Sequence, residues 1–220
     1  MEKEVLSIIK IGAHKFMETF FYEGEMYFDT VDSFRKKDIN QERFDTHEGA
    51  TEIEQINWMK LRAEDGKEFE FSKNNPNHIH LSSAYLLIHG DSEQGNIYSC
   101  TAVTYDTIEN FKILDTRFRS FGDVVIIIQN PREFINRVTT ELKRRNYDHL
   151  IRLVNYYEPT EMSSYLSVFE KKSLHSYQNE IRIWIKNFEG KPIKIHIGSI
   201  KDIACRFKME ELMNSQNKLK

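Results

Sequence analysis

A chain of 220 residues with 40% hydrophobic and 12% aromatic content carries enough apolar surface to bury a core, which excludes a disordered polar chain. Thirty-four acidic side chains against thirty-one basic ones leave a formal charge of −3, so no net field draws the protein to a polyanion and nucleic acid is not indicated as a partner. Cys100 and Cys205 stand far apart without metal-ligand spacing and read as reduced thiols; the opening MEKEVLSIIKIG lacks a secretory signal, and no stretch approaches the ~18 apolar residues of a membrane span, so a cytoplasmic protein without membrane contact is expected.

Residues 6–11, LSIIKI, read as a short buried strand stopped at Gly12. Phe16, Phe20 and Phe21 then recur at helical spacing from His14 to Tyr22, Glu23-Gly24 ends that helix, and EMYFDT reads as a second strand. The stretch SFRKKDINQERFDTHEGA, residues 33–50, is densely charged and without apolar periodicity, which predicts a long polar loop with at most a helical turn. IEQINWMKLRA and KEFEFS read as strands joined at Glu64-Asp65-Gly66, and HLSSAYLLIHG and NIYSCTAVTY as a second hairpin about GDSEQGN.

FGDVVIIIQN is the clearest core strand, because every residue from Val124 to Ile128 is β-branched. Asn130-Pro131 opens a helix, PREFINRVTTELKRRN, with Phe134, Ile135, Val138 and Leu142 on one side and the cations Lys143, Arg144 and Arg145 at its negative pole. HLIRLVNYYEP alternates like a strand, and MSSYLSVFEKKSLHS is expected as a short helix with a lysine-rich end. HSYQNEIRIWIKN and IKIHIGS are expected as a hairpin about Glu189-Gly190-Lys191-Pro192, and the tail as a final helix from about residue 201 that frays after Met213. With no repeat and no low-complexity linker, the sum is one α+β domain over residues 1–220, a largely antiparallel mixed sheet flanked by helices.

A strand over 175–187 places Gln178, Glu180, Arg182 and Trp184 on one face and Tyr177, Asn179, Ile181, Ile183 and Ile185 on the other. Gln178 and Glu180 then lie about 7 Å apart, near enough to address one small ligand. A solvated face on which Glu180 and Arg182 pair with neighbours accounts for the same residues. The loop 33–50 reads either as solvated charge or as a lid in which Arg43 meets a phosphate while Asp45 and Glu48 fix its shape. His78 and His80 share a strand face, but no third ligand has matching spacing and no metal is expected. Asp45 and Glu48 with those histidines make a nuclease-type toxin an alternative, whereas Ser99 near His89 lacks the strand-turn-helix context of a hydrolase nucleophile.

Gln178-Asn179-Glu180 resembles the Gln-x-Glu or Glu-x-Glu strand motif of mono-ADP-ribosyltransferases. The resemblance implies NAD as co-substrate, Glu180 as the catalytic carboxylate that binds the nicotinamide ribose and stabilises the oxocarbenium-like state, and Gln178 as the group orienting acceptor or ribose. It further implies that Tyr27 stacks on nicotinamide, that Lys10 and Arg43 face phosphates, and that Lys10 or His14 stands where the family uses an Arg or His to hold the dinucleotide. Ser99-Cys100-Thr101 is reminiscent of the Ser-Thr-Ser strand of the toxin subgroup. Over residues 6–186, the opening strand, the Gly-x-x-Tyr-Phe element, the charged loop, FGDVVIIIQNPREFINRV and YQNEIRI are similar, in that order, to a family of uncharacterised bacterial proteins found among mobile and anti-phage genes. Together these imply an ADP-ribosyltransferase-like protein of bacterial or phage origin that modifies a macromolecular acceptor or partner protein in phage-host conflict. A non-catalytic sensor or inhibitor module, binding a protein or nucleotide through the same strand face, is the alternative.

Overall fold

In the computed structural model, which describes residues 4–35, 44–90, 95–109 and 114–217, the amino-terminal unit forms as its periodicity dictates. β1 (Val5–Gly12) leads into α1 (His14–Glu23), which buries Met17 and Phe20. Gly24 closes the helix at φ 67° before β2 (Glu25–Thr30), and a Cβ there would lie 2.1 Å from the Gly198 carbonyl oxygen, so only glycine fits this turn. A 3-10 turn covers Val31–Arg35.

β3 (Glu52–Gln55), β4 (Trp58–Arg62), β5 (Glu68–Ser72), β6 (Ile79–His80) and β7 (Tyr85–Ile88) come next. β4 and β5 make the hairpin expected at Glu64-Asp65-Gly66, with β6 beside β5, while β3 pairs with β7. β8 (Asn96–Thr104) is buried along nearly its whole length, and is followed by α2 (Tyr105–Glu109), a 3-10 turn at Thr116–Phe121 and β9 (Val124–Ile128). α3 (Pro131–Arg144) starts on Asn130, whose side chain accepts from the Glu133 N–H at 3.0 Å. Four strands follow, β10 (His149–Leu153), β11 (Asn155–Tyr157), β12 (Ser164–Tyr165) and β13 (Glu170–Lys172), and then a 3-10 helix at Ser173–Gln178. The chain closes with β14 (Glu180–Ile185), β15 (Ile193–His196), β16 (Ala204–Lys208) and α4 (Met209–Asn217).

Eight strands form the main sheet in the order β10-β14-β8-β1-β9-β16, with β2 and β15 attached at one end of β8, and every pairing in it is antiparallel. One face buries Ile8, Tyr98, Ile126 and Ile183 against Phe20 of α1 and Phe134, Val138 and Leu142 of α3. The other buries Ile9, Ile11 and Val125 against Phe118 and against Met209 and Met213 of α4. The molecule is therefore α+β with a largely antiparallel sheet. The feature that makes a site is on β8. Its edge facing β1 is shared, since β1 pairs with Thr101–Thr104 and β2 with Asn96 and Ile97, and neither pairs with Tyr98, Ser99 or Cys100.

Several expectations are corrected. β8 pairs with β14 on one edge and with β1 and β2 on the other, and not with its sequence neighbour β7, so that this buried strand has a partner on both edges, while β15 pairs with β2 and not with β14. Residues 162–176 are not an α-helix: Leu166 enters one apolar cluster and Val168 and Phe169 another, which an extended chain permits and a single helical stripe does not. A strand, β16, precedes the last helix where a helix was expected from 201. No helix among the described residues is long and apolar enough to cross a membrane.

Candidate functional site

Where β1 and β2 part along β8, a cavity of about 920 Å³ opens, and residues from both faces of the sheet line it. Its polar wall is positioned by the turn at Asn179. This residue adopts the left-handed conformation (φ 39°, ψ 55°) that asparagine tolerates, ending the 3-10 helix and starting β14. The Asn179 carbonyl accepts from the Ala102 N–H at 2.8 Å, and its side-chain amide donates to the Ala102 carbonyl, so the turn is pinned to β8. Gln178 is consequently not on the strand, which corrects the expected strand over 175–187. Glu180 and Arg182 do share a face of β14, opposite Ile181, Ile183 and Ile185.

Gln178 and Glu180 nonetheless converge, through a residue the sequence did not single out. The Lys171 ammonium donates to Gln178 Oε1 at 2.8 Å and to Glu180 Oε2 at 2.9 Å. Arg182 Nε donates to Glu180 Oε1 at 2.6 Å, and its two terminal nitrogens donate to the two Glu48 oxygens at 2.7 and 2.8 Å, a planar fork-to-fork pair. The Val168 carbonyl accepts a further bond from the guanidinium. Arg182 is 1% exposed, Glu180 and Glu48 4% each and Lys171 6%, so the reading of a solvated strand face is overturned. Two acids and two bases cancel within one buried cluster that lines the cavity.

Burial works against ionisation of Glu180, but Arg182 and Lys171 outweigh it and hold this carboxyl far below the usual carboxylate range. For Glu48 burial wins over the same two cations, and its pKa is raised. In the same cavity wall, burial pushes the Cys100 thiol up to about 11 against the pull of Lys10, which makes it inert.

Residues 44–50 are a buried strap and not a solvated loop. Asp45 Oδ1 lies 3.0 Å from Lys172 Nζ and accepts from the His47 N–H at 3.0 Å. The His47 ring sits between the Tyr157 hydroxyl at 2.8 Å and the Tyr85 hydroxyl at 3.0 Å. Glu48 is thereby delivered to Arg182. Arg43 falls outside the described residues.

Lys10 reaches across the gap between β1 and β2, its Nζ 2.6 Å from the Ser99 carbonyl oxygen and 3.9 Å from the centre of the Tyr98 ring. Tyr27, half-exposed on β2 and opposite Lys194 of β15, lines the same cavity, as do Ser99 and Thr101. His14 does not belong to that lining: its N–H donates to Asp123 at 2.9 Å and its imidazole lies 3.7 Å from Glu18. His78 pairs with Glu70 at 3.0 Å and with Asn75 at 3.0 Å, while Asp45 and Glu48 pair elsewhere, so the nuclease constellation is not assembled. No group of three or more His, Cys, Asp or Glu suited to a metal occurs among the described residues.

Lys171 escaped sequence reasoning because it read as a helix end, and Glu48, read as shaping a lid or as a nuclease acid, was not seen as the partner of Arg182. The available signal was weak, a Phe169 and Lys171 pair at strand spacing. Chemically, the wall offers an ionised carboxylate, a carboxamide and an ammonium to one ligand, and the carboxylate suits a carbon on which positive charge develops. No protein-family profile, curated protein or solved structure matches this chain.

Proposed function

We propose that the protein is an ADP-ribosyltransferase-like enzyme that splits NAD and modifies a macromolecule in the cytoplasm, in phage-host conflict. The observation that carries this reading is the convergence of Gln178 and Glu180 in one cavity that Lys10 and Tyr27 also line. In the proposed reaction Tyr27 stacks on the nicotinamide ring and Lys10 faces the phosphates. Glu180 binds the adjoining ribose, and as the bond from that sugar to nicotinamide breaks, the carboxylate stabilises the positive charge left on the sugar. Gln178 orients ribose or acceptor. Glu180→Gln keeps the side chain's shape and removes its charge, and should lower nicotinamide release by roughly 100-fold or more. Purified protein that neither binds nor consumes NAD across a range of macromolecular acceptors would end this reading.

A second reading has its own observation. Both oxygens of Glu180 are already engaged by cations, Oε1 by Arg182 and Oε2 by Lys171, which suits a non-catalytic module that recognises a nucleotide or a protein. That module would be stabilised by a nucleotide equally in wild type and Glu180→Gln, with no nicotinamide released from either.

A further inference from the structure

The Lys171 ammonium has three N–H donors, and the described residues occupy two of them, with Gln178 and Glu180. No third acceptor for it stands among the described residues, yet Lys171 is buried and lines the cavity. A buried ammonium with a donor to spare is costly unless an acceptor arrives, and the cavity is where one can arrive. The charge balance selects its kind. Glu48 and Glu180 already cancel Arg182 and Lys171, so a phosphate brought against Lys171 would meet the adjacent Glu180 carboxylate with no surplus positive charge to hold it. A hydroxyl group avoids that conflict, because its oxygen accepts from Lys171 while its proton is given to a Glu180 or Gln178 oxygen.

We propose that Lys171 joins Gln178 to Glu180 and donates its remaining N–H to a hydroxyl oxygen of a sugar bound in the cavity. The identification of that sugar as the ribose of NAD rests on the reading above. Lys171 thus reads the neutral part of the ligand, and the phosphates are left to cations elsewhere on the wall.

The test is isothermal titration of ADP-ribose, with inorganic pyrophosphate as the sugar-free control, against wild type and Lys171→Met. ADP-ribose should bind wild type and lose tenfold or more in affinity in the variant, while pyrophosphate affinity changes less than threefold. Equal ADP-ribose affinity in the two proteins overturns the inference. So does a parallel loss of pyrophosphate, which would make Lys171 a phosphate site, and so does a wild type that does not bind ADP-ribose. If Lys171→Met does not fold, Lys171→Arg keeps the charge and carries the same comparison, since a planar fork cannot replace a compact ammonium between two oxygens. Nicotinamide release is read separately. Lys171-dependent ADP-ribose binding without release defeats the transferase reading and leaves this inference standing.

Discussion

Arg182 touches both buried carboxylates, so its removal takes away the cation hydrogen-bonded to Glu48 and leaves Glu180 with Lys171 alone. Arg182→Met should destabilise the protein by about 3–5 kcal/mol, measured by denaturant unfolding. Glu48→Gln should cost less, about 1–3 kcal/mol, because burial already pushes the Glu48 carboxyl toward its neutral form. Equal losses in the two variants would mean that the cluster is not centred on Arg182. At this scale the sequence was informative about β14 and silent about its partners. Glu180 and Arg182 were readable because the isoleucines between them mark the opposite face. Glu48 and Lys171 were not, since their roles exist only once the strap and β13 are folded against that face.

The turn at Asn179 decides where the strand starts, and its backbone is one that alanine adopts at a cost. Asn179→Ala should destabilise by about 1–3 kcal/mol, combining strain at positive φ with loss of the bond to the Ala102 carbonyl. Asn179→Gly, which relieves the strain but loses the same bond and adds the entropy of a glycine in the unfolded chain, should fall between wild type and Asn179→Ala in thermal unfolding. Elements whose signal is local were legible: β1, α1, β2, the β4-β5 hairpin, β9 and α3 follow from periodicity, turn residues and capping. The errors share one cause. Alternation extends smoothly through Tyr177, Gln178 and Asn179, and nothing in it marks a left-handed residue; likewise strand content does not say which strand is the partner. β8 and β15 pair across long separations, and hairpin reasoning reaches only neighbours.

Two buried histidines govern how the whole molecule answers to acid. His47 and His175 have pKa values lowered from 6.5 to about 4, burial first, with Lys172 acting on His47 and Lys171 on His175, while Asp45 opposes for both. Between those values the unfolded chain holds protons that the folded one excludes, so stability is complete above pH 6.5 and declines as the pH falls toward 4. Glu48 contributes with the opposite sign, its raised pKa favouring the folded state as pH falls. Urea unfolding across pH 5.5–6.5, above the range where the lowered carboxylates such as Glu180 and Glu141 add to the loss, should show net proton uptake of up to about two on unfolding. His47→Gln should remove about half of that slope, and a flat profile in wild type would contradict the burial of both rings.

β1, which precedes the other described strands in chain order, ends up between β8 and β9, in the middle of the main sheet. Neither flank exists until the entire stretch up to residue 96 has left the ribosome. Nucleation must therefore wait for a distant chain closure, and refolding should proceed in milliseconds to seconds, not microseconds. A nascent chain arrested before β8 would present β1 with both its edges bare, the state in which this protein should depend most on chaperones.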